Sequence, residues 1–159
     1  MRILNIHKRA FLESKDEVSK IFASLSGDND QVWPTEKWPR MIFENGLKEG
    51  EIGRHGIVKY SVNKFIPSRL IEFTFIEPKE FKGIHKLELN EVEENKIELK
   101  HTIDADLSIR GIFLWYFAIK WLHDALLEDC LDKVENHFLA EKKKTKWNFW
   151  VKFLRRILK

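Results

Sequence analysis

The stretch 96-KIELKHTIDADLSIRGIFLWYFAIKWLHDALLEDCLDKVENHF-138 changes its period once, at Ser108. Before that residue, Ile97, Leu99, His101, Ile103, Ala105 and Leu107 alternate with Glu98, Lys100, Thr102, Asp104 and Asp106. Such alternation belongs to a strand with one buried and one wet face. Beyond it the period becomes 3.6 and holds for about 30 residues. At 100° per residue, Ile112, Tyr116, Ile119, His123, Leu127, Cys130, Val134 and Phe138 share one stripe, which predicts a long amphipathic helix.

Working back toward the N-terminus, the period stays at two from about Arg40. The segments RMIFENGL, GIVKYSVNKFI, RLIEFTFIE and GIHKLELNEV are separated by turns containing Gly, Pro or Asn, which predicts an antiparallel meander. MRILNIHKRAFL reads as a first strand, ending at SKDE, where Ser14 and Glu17 have capping-box spacing. Val18, Ile21, Phe22 and Leu25 follow at helical spacing until SGDND. Trp33 and Trp38 each precede a proline, so any helix in VWPTEKWP is short or broken. GEIGRHG lacks the Lys-Ser/Thr of a phosphate loop and reads as a hairpin with Arg54 and His55 at its tip.

The composition, 43% hydrophobic and 33% charged, is that of an ordinary globular domain. Its net charge of +3 is an average of two unlike parts. Residues 140–159 hold eight Lys/Arg and one Glu, giving +7; the other 20 Lys/Arg and 24 Asp/Glu give residues 1–139 a charge of −4. The expected organisation is a body over residues 1–139 with a basic tail over 140–159. The single cysteine, Cys130, excludes an internal disulfide and a Cys-cluster zinc site. MRILNIHKRA has no apolar core of a secretory signal, and the longest apolar run, GIFLWYFAI, is too short to span a bilayer, so a cytoplasmic setting is expected. With cations confined to the tail and no binding motif in the body, no nucleic-acid partner is expected.

The succession of FLESKDEVSKIFASL, WPTEKWPRMIF, GEIGRHGIVKYSV and HDALLEDCLDKVE resembles the START-like, helix-grip (SRPBCC) superfamily, closest to its polyketide cyclase/dehydrase and lipid-transport branch. The superfamily's first corner, isoleucine-x-alanine-proline, is here Phe11, Leu12, Glu13, Ser14, with the capping box in place of the proline. The resemblance implies an α+β fold. About six to seven strands form a curved antiparallel sheet that grips the long C-terminal helix and leaves a cavity for an apolar molecule.

Three histidines fall on inward faces: His85 with Leu87 and Leu89, His101 between Leu99 and Ile103, and His123 on the helix stripe. Histidines in an apolar cavity orient a ligand's polar atoms or act as general acid and base near neutral pH; the bland alternative is three histidines each satisfied locally. Ligand contact by area burial is expected from Tyr60, Phe73, Phe75, Leu99, Ile103, Tyr116 and Ile119, and Trp33 and Trp38 are candidates at the cavity mouth. The first reading is therefore a non-enzymatic module binding a small hydrophobic or lipid-like ligand. The second is a cyclase or dehydratase using His101 or His123. No metal or cofactor is expected, because no HxxxH-type spacing or inward carboxylate accompanies the histidines. Asp124 follows His123 directly and should point away from it.

The tail supplies a third reading. In KWNFWVKFLRRILK, Trp147, Trp150, Val151, Leu154, Ile157 and Leu158 share one helical face, and Lys152, Arg155, Arg156 and Lys159 the other, with Phe149 misplaced toward the polar side. Such a helix lies flat on an anionic membrane. Alternatively it docks in cis, or in trans as a dimer, on the patch formed by Leu114, Phe117, Ala118 and Trp121 and the acidic Glu128, Asp132 and Glu135 beyond it.

Overall fold

The alternating run is strand β7 (Lys96–Leu107), whose inward side buries Ile97, Leu99, Ile103, Ala105 and Leu107. It pairs antiparallel with β1 (Arg2–Phe11) on one side and β6 (Phe81–Glu93) on the other. The sheet continues through β5 (Leu70–Glu77), β4 (Val58–Ile66) and β3 (Ile52–His55) to β2 (Ile42–Phe43). Its order is β1-β7-β6-β5-β4-β3-β2, a meander with the N-terminal strand added to its last member. The computed structural model describes residues 1–158; Lys159, assigned above to the polar face of the tail, lies outside the described residues.

Ser14 caps α1 (Lys15–Ala23), its hydroxyl accepting from the Glu17 amide at 3.4 Å. The reciprocal half of the capping box is replaced by a Glu17–Lys20 pair at 2.6 Å. Val18, Ile21 and Phe22 are buried at helical spacing, as the sequence predicts. The segment RMIFENGL keeps only the two residues of β2 as strand, because the chain turns away through Gly46 (φ +78°) and Gly50 (φ +80°).

Ser108 starts the long helix, accepting from the Gly111 amide at 3.1 Å. The helix runs as α2 (Ile109–Leu114), a π-helical segment (Trp115–Ile119) and α3 (Lys120–Glu135) without a break. The wider turn adds one residue to the helical period. Upstream of it the inward stripe therefore slips by one: Trp115 is buried at 3% exposure, and Tyr116 is 52% exposed. Tyr116 is thus corrected from an inward to an outward position. After α3 the chain turns back, and α4 (Phe149–Ile157) begins at Asn148, whose side chain accepts from the Val151 amide at 2.9 Å. No helix among the described residues is long and apolar enough to cross a membrane.

Candidate functional site

The apolar interior falls into two clusters. One holds Tyr60, Phe73, Leu87, Leu99 and Leu127; the other holds Ile3, Phe81, Ile103, Leu107 and Trp115. A histidine stands at the boundary on each inward element. On β6 His85 lies between Leu87 and Phe81, and on β7 His101 lies between Leu99 and Ile103. On α3 His123 lies between Leu127 of the first cluster and Ile119, packed against the second. The three candidates predicted from periodicity form one polar layer between the two apolar clusters.

Their rings are consecutive neighbours: His85 to His101 is 5.8 Å between centroids, and His101 to His123 is 5.0 Å. Phe73 and Phe75 both stack on His85 at 4.7 Å, and Tyr60 meets it edge-on at 5.0 Å. Nε2 of His85, Nδ1 of His101 and both ring nitrogens of His123 are buried without a protein hydrogen-bond partner. Burial holds all three pKa values down, helped at His85 and His101 by the neighbouring histidines. At His123, Asp124 opposes that shift without reversing it. At neutral pH the layer consists of uncharged imidazoles, each a donor on one nitrogen and an acceptor on the other.

The layer extends past the predicted residues at both ends. His55 is the last residue of β3, not the tip of the hairpin, and its Nδ1 lies 3.2 Å from the Tyr60 hydroxyl. Its ring is 5.0 Å from that of Trp33, and burial lowers its pKa to about 3. At the other end the ring of His7 on β1 lies 5.8 Å from that of His123. Both His7 nitrogens face carboxylates, Nε2 to Asp124 at 2.9 Å and Nδ1 to Glu128 at 3.0 Å. Burial opposes the charge on His7, but these two partners outweigh it and raise its pKa. Next along the strand, Arg9 reaches Glu128, Asp132 and Glu135 at 2.7–2.8 Å.

His7 and Arg9 were missed in the sequence, although their parity with Ile3 and Phe11 places them on the inward face of β1. The complementary signal was the acidic row Asp124, Glu128, Asp132 and Glu135 on α3. Asp124 turns toward β1, as its helical phase demands, and stands 3.8 Å from His123 Nδ1, outside hydrogen-bond range. His7, His123 and Asp124 each bring one ligand atom within 4.8 Å of the others. In that group the Asp124 carboxylate already pairs with His7 and Lys120.

The remaining candidates separate by position. Tyr60, Phe73, Leu99 and Ile103 are between 0% and 3% exposed and pack the interior around the histidines, while Phe75 and Ile119 are half-buried at the second cluster. Two surface depressions of about 320 and 390 Å³ lie elsewhere. One is beside Lys15, Arg69 and Glu91, the other between Lys37 and the tail. Trp33 and Trp38 close the core where the loop after α1 meets α3. Trp33 Nε1 donates to the Pro39 carbonyl at 2.8 Å, and Trp38 Nε1 donates to Asp129 at 2.8 Å. Asp129 is 2% exposed and also accepts from Lys37 at 2.5 Å and from Trp147 of the tail at 2.9 Å.

The tail packs against the body. Val151 and Leu154 are buried, the Arg155 guanidinium stacks on Trp38 at 4.4 Å, and the Thr145 amide donates to Asp132 at 2.5 Å. Trp150 Nε1 donates to the Phe117 carbonyl at 2.9 Å, so the tail reaches the edge of the predicted Leu114–Trp121 patch. Phe117 and Trp121 remain 63% and 40% exposed, and Lys152 and Arg156 are exposed.

No family model matches the sequence, and no curated protein matches it. Solved structures do match. Norcoclaurine synthase from Thalictrum flavum, in complex with dopamine and hydroxybenzaldehyde, is similar with a TM-score of 0.67 at 11% identity, over 91% of this chain and 90% of that one. CalU16 from Micromonospora echinospora is similar with a TM-score of 0.58 at 16% identity, over 99% and 92%. A conserved protein of unknown function from Enterococcus faecalis gives 0.61 at 11% identity, over 99% and 85%. At these identities the likeness is one of fold: the chain has the helix-grip architecture, a curved antiparallel sheet around a long C-terminal helix.

Proposed function

We propose that the protein binds a small, largely apolar molecule between the sheet and the long helix, with the histidine layer orienting its polar atoms. The observation that carries this reading is the row of buried ring nitrogens on His85, His101 and His123 that no protein group satisfies. Leaving a buried polar atom unpaired costs about 1–3 kcal/mol, so four such atoms in one layer are expensive for a core that serves packing alone. Norcoclaurine synthase, with dopamine and hydroxybenzaldehyde held in the same fold, supports the reading with ligands that combine an aromatic ring and polar ends. Phe73, Phe75 and Tyr60 around His85 offer matching aromatic surface. Since Tyr60 and Phe73 are closed to solvent, entry requires these side chains to separate.

Native mass spectrometry of the full chain after mild purification tests this, with dopamine, hydroxybenzaldehyde and a long-chain fatty acid added as probes. Bound mass is expected on the wild-type chain and its loss on His101→Leu, with the variant's Tm preserved or raised. If no probe binds, and none shifts the imidazole resonances of His85, His101 and His123, the reading is wrong.

A second reading, cyclase or dehydratase chemistry, is favoured by His123, whose two nitrogens are both free of protein partners beside Asp124. The lowered pKa values make His85, His101 and His123 itself weaker bases, which places binding ahead of catalysis. On any substrate turned over, His123→Ala is expected to remove kcat and leave binding; full activity in that variant excludes the mechanism.

A further inference from the structure

The outer face of α4 is built unlike the rest of the surface. Helical phase turns Val151, Leu154 and Arg155 toward the body, where the first two are buried and the third is half-buried. The opposite face presents Phe149 and Phe153 at 81% and 42% exposure, flanked by the exposed Lys152 and Arg156. Phe149, misplaced in the sequence pattern, thus belongs to a second apolar face. Trp150 stacks on Phe153 at 5.3 Å and is tied to the π-helical segment through the Phe117 carbonyl. There Phe117 stacks on Phe113 at 6.3 Å, and both are more than 60% exposed. Two elements far apart in sequence therefore contribute to one aromatic ridge, and an exposed apolar patch of this kind marks a contact surface.

We propose that this ridge seats the domain on an anionic lipid bilayer. The charge distribution selects that partner: the α4 side of the ridge lies in the tail, whose +7 stands against −4 for the rest of the chain. A second copy meeting it ridge to ridge would bring like charge to like charge. A bilayer with anionic headgroups supplies counter-charge for Lys152 and Arg156, and its headgroup–acyl boundary takes the phenylalanine rings. The helix is already formed, capped by Asn148 and fixed by Val151 and Leu154, so docking orders little new backbone. Packing on the body and contact with lipid use opposite sides of one helix and are compatible.

The test is co-sedimentation of the full chain with phosphatidylcholine vesicles, with and without phosphatidylglycerol. The wild-type chain is expected to partition onto the anionic vesicles, less so as salt rises. Phe149→Ser with Phe153→Ser should weaken binding about a hundredfold, by removing two large apolar side chains from the boundary. Lys152→Gln and Arg156→Gln should each cost about fivefold, equivalent to ~1 kcal/mol. All four positions are exposed, so Tm is expected to hold. The proposal is overturned if anionic vesicles sediment no protein, if the phenylalanine pair leaves sedimentation unchanged, if phosphatidylcholine alone binds equally well, or if ultracentrifugation shows the ridge consumed in a dimer.

Discussion

Asp129 is the residue through which the tail becomes part of the core. Its carboxylate is closed to solvent and accepts from Lys37, Trp38 and Trp147, so one buried charge joins the loop after α1, α3 and the tail. Asp129→Ala leaves two indole N–H groups and a lysine without their acceptor. Unfolding in urea is expected to show a loss of roughly 3 kcal/mol or more. The conservative Asp129→Asn, which retains an acceptor oxygen, should lose less. A similar argument from geometry applies to Gly83 on β6, where an added Cβ would lie 2.2 Å from the Asp104 carbonyl oxygen of β7. Gly83→Ala is expected to destabilise the β6–β7 pairing, with faster amide exchange there than in any surface substitution. Asp129 was not singled out in the sequence because an aspartate on a helix resembles its solvated neighbours until the three donors are in place.

At the scale of elements, α4 is a structural part as much as an appendage. A chain ending at Lys142 would lose Trp147, Val151 and Leu154 and uncover Asp129. Its Tm is expected to fall by about 10 °C or more, from at least two lost apolar side chains in a domain of this size. Vesicle binding by that truncation would therefore mix unfolding with loss of contact, whereas substitutions at Phe149 and Phe153 do not. The elements were largely legible in the sequence because each buries one face against another, and alternation reports that directly at β7 and in α1. Legibility failed where local geometry broke the period. The π-helical turn moved Tyr116 outward, and two glycines with positive φ cut the expected strand at residues 40–47 down to β2. The site was legible in its three central histidines and only partly at its ends, where parity turns His7 inward without naming its neighbours. His7 and His55 depend on which strands become neighbours and on the direction of the last residue before a turn.

For the molecule as a whole, five of its six histidines divide into two groups with opposite pH behaviour. His55, His85, His101 and His123 have lowered pKa values, so the unfolded chain takes up protons that the folded chain refuses. Their contribution to stability is present above the ordinary value of 6.5 and is lost as pH falls below it. His7 has a raised pKa, so its contribution is full below 6.5 and fades as pH rises through the folded value. Between pH 6.5 and 5 the buried group dominates. Stability from urea titrations should fall by about 1.4 kcal/mol per pH unit for each histidine that stays neutral in the fold. His101→Leu should reduce that slope by one proton; a flat profile through this range would contradict the burial. The histidine layer has a mechanical consequence as well. Two oily droplets separated by a polar film cohere less than one droplet of the same volume, and here the film crosses the interior from β6 and β7 of the sheet to α3, with one apolar cluster on each side. A guest of the right size can replace contacts across that seam while each droplet stays intact. Under the proposed function, loading and release would then be matters of local prising, within reach of a fold that keeps its strands paired throughout.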